Sequence, residues 1–380
     1  AILRHSGSDL MRAQQTSRRW AIVGAMLSAC VAGNDGGDPV VSGTGETGGS
    51  ETSAPDPVET GSSSSGAADD DTTTGGDEDE PSGPEGQWQT RASLVEARQE
   101  TGVAALGGEI YVVGGFTPDG LVPRVEVYDP VDDAWRRAAD FPDPAVHHAN
   151  TAAVDGRLWV AGHLSGLGFG AVGRTYAYDP QTDAWTEHAA MPVGTERGGS
   201  GVAVLGARIY VLGGLRGGQS VADAWTYDTA SDTWAPIEPL PGPRDHLVAA
   251  GVDGKVYAIG GRSGGIGGHV PDVDVYDAAA GTWSAGPAMP TSRGGMAAAV
   301  VSRWIFVAGG EGNADDPTGV FPEFEVLDTA SGTWTSLPAM PSPRHGMGAA
   351  AVGNVVYVPG GADVQALGAV ATHEAWVLGD

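Results

Sequence analysis

A chain of 380 residues sets the expectation at one large domain or two small ones. Its 48 Asp and Glu stand against 20 Lys and Arg, a formal net charge of −28, and a surface this acidic argues against nucleic acid and anionic lipid headgroups as partners. The single cysteine, Cys30, excludes an intramolecular disulfide, and it leaves residues 88–380 without any thiol for a cysteine-dependent copper centre.

In chain order, Met11 reads as the start, with residues 1–10 an upstream extension. Arg12, Arg18 and Arg19 supply a basic region, and Ala21 to Leu27 an apolar run too short to span a bilayer as a mature helix. The run ends in Leu27-Ser28-Ala29-Cys30, which resembles the bacterial lipobox. That resemblance implies export, lipidation at Cys30 and a cell-envelope location. Val31, where an Asp would signal inner-membrane retention, points to the outer membrane. An ordinary cleavable signal peptide is the alternative, and Ser17-Arg18-Arg19-Trp20 also resembles a twin-arginine signal.

Residues 31–87 hold 14 Asp and Glu and no Lys or Arg, set among Gly, Ser, Thr and Pro. Such a segment cannot bury enough apolar surface to offset its ordering entropy, so a solvated acidic linker is expected. Weak calcium binding by its carboxylates is the alternative.

From residue 88 the chain repeats. Trp88, Trp135, Trp185, Trp234, Trp283 and Trp334 recur at intervals of 47 to 51 residues. All but Trp88 close a similar phrase, such as Tyr128-Asp129-Pro130 to Trp135 or Tyr276-Asp277 to Trp283. Upstream of each phrase lies an apolar run ending in glycine, and a sixth such run, Val356 to Gly361, follows Trp334. Five of the six runs end in Gly-Gly, and one ends in Gly162-His163. Each unit reads as four short strands. In the fourth unit these are Leu247 to Val252, an Asp253-Gly254 hairpin, Val256 to Ile259, Val273 to Tyr276, and a last strand opened by Trp283.

The double glycine, the Tyr-Asp pair and the spaced Trp resemble the Kelch repeat, which implies an all-β fold, a six-bladed Kelch β-propeller with four-stranded antiparallel blades. The last unit lacks a fourth strand, and the segment Trp88 to Leu94 is spare, so the ring is expected to close by the N-terminal strand near Trp88 completing the sixth blade. The repeated Trp, Tyr and Gly then serve packing and turns.

Function is expected at the channel mouth, where blades differ. Arg98, Arg197, Arg244, Arg293 and Arg344 recur just before each first strand. The second unit has Ala145 there, followed by His147 and His148, while His246 and His345 accompany their arginines. Either these arginines converge on the mouth as a site for an acidic peptide or carboxylated sugar, or they tie loops together through backbone carbonyls and neighbouring acids. The loops near 116–123, 163–173, 215–222, 262–271, 311–322 and 362–371 form a second candidate surface.

Two enzyme families share the scaffold. Galactose-oxidase-like chemistry needs the cysteine that is absent. Sialic-acid mutarotases carry a Glu after the glycine pair and an Arg six residues on; Glu311 matches the first, but Pro317 stands in the second place, and Glu311 is expected as a solvated loop residue. No zinc-binding spacing joins the histidines. The expectation is therefore a monomeric, lipid-anchored binding module for a protein or glycan, without cofactor, metal or catalysis, with a carbohydrate-active Kelch enzyme (mutarotase or lyase) as the alternative.

Overall fold

The computed structural model describes residues 83–379; the expected signal, the lipidation at Cys30 and most of the expected linker lie outside the described residues. Among the described residues the structure is all strand and loop. Six antiparallel four-stranded blades follow one another in the chain. Blade one runs Gly102–Leu106, Glu109–Val113, Val125–Asp129 and Ala134–Ala138. Blade four is Val248–Val252, Lys255–Ile259, Val273–Asp277 and Thr282–Ala285, within a residue of the bounds read from the sequence.

Closure is as expected, with a shift in the strand's limits. The closing strand is Gly86–Thr90, and it pairs with His373–Leu378 so that Trp88 lies opposite Trp376. It supplies the outer strand of blade six, whose other strands are Ala350–Val352 and Val355–Pro359. The segment after Thr90 leaves the sheet and packs Leu94 into the core.

The repeated residues explain how blades adhere. Each blade has an apolar second strand, buried on both faces, such as Glu109–Val113 or Val355–Pro359. Among the described residues, six apolar clusters each straddle one pair of neighbouring blades. The tryptophans stitch these seams. Trp135, Trp185, Trp234 and Trp283 donate their indole N–H to Ala92, Ala139, Ala189 and Glu238 carbonyls at 2.7–3.0 Å, in the segments just before. Trp334 and the closing Trp88 do the same to Pro287 and Pro338. The Tyr-Asp phrase works locally: the Tyr128, Tyr178 and Tyr227 hydroxyls each donate to a carboxylate five residues on, at 2.6–2.7 Å.

The double glycine is required sterically. At Gly261 (φ 95°) and Gly361 (φ 101°) a Cβ would stand 2.8 Å from the carbonyl oxygen of Asp245 or His345. Blade two lacks the second glycine, and its middle strands continue past the bulge at Gly162 as the long hairpin Arg157–Ser165 and Gly170–Asp179.

Candidate functional site

One residue of every blade meets at the centre of the ring. Going round, these are Glu100, His148, Gly199, His246, Gly295 and Gly346. The backbone N–H of each donates to the carbonyl of its predecessor at 2.5–3.0 Å, and Glu100 closes the circle on Gly346. All six have positive φ, between 49° and 70°. Glycine takes that conformation freely, whereas Glu and His are held in it at a cost on the order of 1–3 kcal/mol each.

The arginines occupy the position two residues earlier, and the structure resolves their role. Arg98, Arg197, Arg293 and Arg344 have no solvent-exposed surface, and Arg244 has 2%. Their guanidinium groups point into the blades. Arg98 donates to the Gly114 and Arg124 carbonyls and to Glu126 at 2.8 Å. Arg244 reaches the Gly260 and Asp272 carbonyls and Asp274. Arg293 and Arg344 hold Glu325 and Glu374. Arg197 has only carbonyl partners, those of Thr195 and Val211, and its burial lowers its pKa to about 10. These are loop ties, so the mouth of converging arginines is corrected. In blade two the equivalent position is Val146 and not Ala145, because Val146 offers its carbonyl to Gly115 as Arg244 does to Gly214. A valine suffices there since the extended hairpin pairs directly with Val146–His147.

The histidines, by contrast, do converge. His148 and His246 stand on the central ring with Nε2 atoms 3.0 Å apart, and Glu100 Oε2 lies 3.0 Å from His148 Nε2. His147 lies behind His148 with the two Nδ1 atoms 2.6 Å apart, and His345 presents Nδ1 to Glu311 at 3.5 Å and to Glu100 at 3.8 Å. Arg262 spans the group, donating to Asp245 at 3.0 Å and Glu311 at 2.5 Å, with Nη2 3.1 Å from His246 Nε2. All of these side chains are buried. Burial pushes His147 down to about 3 and His148 well below the usual histidine value. Asp245 is held at about 2 by His246 and Arg262 against the pull of burial, and Glu311 at about 2 by His345 and Arg262 likewise.

Glu311 is thus a buried ion-pair partner, which corrects the solvated-loop expectation. A carboxylate that stays ionised down to about pH 2 is a weak proton acceptor at neutral pH, so the mutarotase-like reading gains no support. Sequence reasoning missed Glu100, Asp245 and Arg262. The signal was present for the first: Glu100 follows Arg98 at the same offset as His246 follows Arg244.

Above the cluster, on the face of the second-to-third-strand loops, a cavity of about 240 Å³ opens between blades two, three and four. Phe169, Leu215, Gln219, Ser220 and Pro243 line it, and Asp245, His246 and Arg262 form its floor. Phe116, Leu164, Phe169 and Leu215 make an apolar cluster beside it. Below the ring, small residues of the first strands, including Gly102, Ala249 and Ala297, line the channel.

Comparison with known proteins agrees with this architecture. Residues 191–361 match the KLHDC2/KLHL20/DRC7 Kelch-repeats domain, and residues 97–142 match the Kelch motif. The chain is therefore a six-bladed propeller built of Kelch repeats. Kelch-like protein terF of Aspergillus terreus is 35% identical over 297 residues, covering 73% of this chain and 64% of that protein. Kelch-like protein 35 of Mus musculus is 34% identical over 177 residues, covering 46% of this chain and 29% of its own length. The chain thus spans less than two thirds of either relative. Both are eukaryotic, and neither match bears on the export signal.

Proposed function

We propose that the propeller is a non-catalytic recognition module that takes a short segment of a protein partner at the loop-side mouth. The observation that carries this is the cavity between blades two, three and four, whose rim is part apolar and part amide or hydroxyl, a lining suited to one or two anchoring side chains. The similarity to Kelch-like proteins supports the same reading. An acidic ligand rested on free arginines, and those are buried. Exposed charges on this face include Asp315, Asp316 and Asp363, so a neutral to basic segment fits better. Attachment to the envelope through Cys30 and the linker of residues 31–87 belongs to the same proposal and is supported by the lipobox-like sequence.

The test is binding of the purified full chain to peptide and glycan arrays. Gln219→Trp and Ser263→Trp fill the cavity from exposed positions, and Val131→Trp, at an exposed turn between third and fourth strands, serves as control. Basic or neutral peptides that bind wild type and Val131→Trp but neither cavity variant support the proposal. Glycan binding alone, or binding indifferent to both cavity variants, overturns it.

A further inference from the structure

Hydrogen-bond accounting in the central cluster leaves acceptor atoms of Glu100, His148 and His246 close together. His147 Nε2 lies 3.0 Å from the Gly166 carbonyl, which only accepts, so that nitrogen carries the proton. His147 Nδ1 is then the acceptor for His148 Nδ1–H, 2.6 Å away, and this leaves His148 Nε2 as a bare lone pair. His246 donates from Nδ1 to Asp245 at 2.5 Å, so its Nε2 is also a lone pair, faced on one side by Arg262 Nη2 at 3.1 Å and on the other by His148 Nε2 at 3.0 Å. His345 donates from Nε2 to the Val364 carbonyl at 3.1 Å, and its buried Nδ1 has no hydrogen-bond partner. Glu100 offers only acceptors.

The charge balance points the same way. Glu100, Asp245 and Glu311 bring three carboxylates with side chains no more than 9% exposed, against the single guanidinium of Arg262. The fixed charges alone leave the carboxylates in excess, a balance that either an imidazolium or a bound cation completes. Buried charges are stable when paired or when they coordinate a cation.

We propose that Glu100, His148 and His246 form a binding site for one divalent transition metal of the zinc class on the propeller axis, with His345 beside it. Candidate ligand atoms from the three residues lie within 4.8 Å of one another. Two imidazoles and one carboxylate are a zinc-type donor set. Each imidazole is oriented from behind, His246 by a carboxylate and His148 by a second imidazole bonded to a carbonyl, as metal-ligating histidines are. One ligand comes from each of blades one, two and four, 48 and 98 residues apart in sequence, and no local spacing reveals them. This inference does not depend on the mouth's peptide specificity, although His246 also forms part of the cavity floor.

The experiment titrates untagged, chelator-treated full-length protein with Zn²⁺ by calorimetry and with Co²⁺ by visible absorption. The expected result is one equivalent of each and a Co²⁺ spectrum of low-coordinate nitrogen and oxygen ligation. X-ray absorption at the zinc edge of the wild-type protein is expected to show imidazole scattering near 2.0–2.1 Å. Asp245→Asn is expected to weaken Zn²⁺ binding roughly 10–100-fold through its neighbour His246. His148→Gln and His246→Gln are expected to weaken it further, while His188→Gln, on the far strand Ala184–His188, leaves it unchanged. No stoichiometric binding by wild type would mean that protons on the histidines balance the charge, and the site falls. Zinc held without imidazole scattering, or unaffected by folded His148 and His246 variants, would place the metal elsewhere and also overturn it.

Discussion

At the scale of single residues, the same amino acid type proved to serve either framework or site according to two positions of offset. The arginine before each first strand is framework. Arg293 illustrates it: the guanidinium bonds the Gly309, Thr291 and Val307 carbonyls and Glu325, with no exposed surface. Arg293→Ala leaves Glu325 buried with Thr291 Oγ1 as its remaining neighbour, and a loss of about 3–5 kcal/mol is expected in denaturant unfolding. The paired change Arg293→Met with Glu325→Leu is expected to recover only part of that loss, because the unpaired charge is gone but the Gly309, Thr291 and Val307 carbonyls still lose their donor. A single variant that stays at wild-type stability would contradict the framework role. The sequence showed that this arginine recurs, but recurrence alone does not say where a guanidinium points. Two places on, the sequence singled out His148 and His246 but not Glu100, because that position varies between Glu, His and Gly, and that variation is what a site grafted on a repeat looks like.

At the scale of elements, strand order, hairpin positions and ring closure were legible, because Trp, Tyr-Asp and Gly-Gly each have one local job that a repeat must perform in every copy. Blade two departs from this. His163 stands where the other blades have their second glycine, and the structure shows a lengthened hairpin with His163 buried against Phe141 and 3.0 Å from Asp143. The closing strand carries the largest consequence. Trp88 packs on Phe324 (ring centroids 4.7 Å) and Trp376 (5.6 Å) and donates to Pro338, joining blades five and six. Trp88→Ala is expected to cost about 3–5 kcal/mol and to expose the Gly86–Thr90 strand to limited proteolysis. Cleavage no faster than wild type would show that the strand is held by its ladder alone.

At the scale of the whole molecule, the buried histidines make the ring sensitive to acid. His373 in blade six sits edge-on to Tyr128 and Trp135 of blade one and donates to the Ala92 carbonyl at 3.1 Å. Burial lowers its pKa to about 4. The unfolded chain takes up this proton near pH 6.5 and the folded ring only near 4, so stability is complete above about 6.5 and declines as pH falls between those values. Melting temperature is expected to drop over that window, and His373→Phe is expected to flatten part of the slope. An unchanged slope would assign the acid response to other groups. Global closure was foreseen from the chain's arithmetic of strands, whereas the polar axis was not, since it exists only once distant blades are side by side. The central circle of six backbone hydrogen bonds has one more consequence. Each of its positions already has the left-handed conformation, so the circle works as a rack with six slots, three filled and three bare. A side chain at Gly295 would find its nearest neighbour 3.5 Å away, whereas at Gly346 it would strike Glu100. The scaffold can thus gain or lose a functional group on its axis by one codon, with Asn or Asp the residues that pay least for the backbone angle, and without moving a strand.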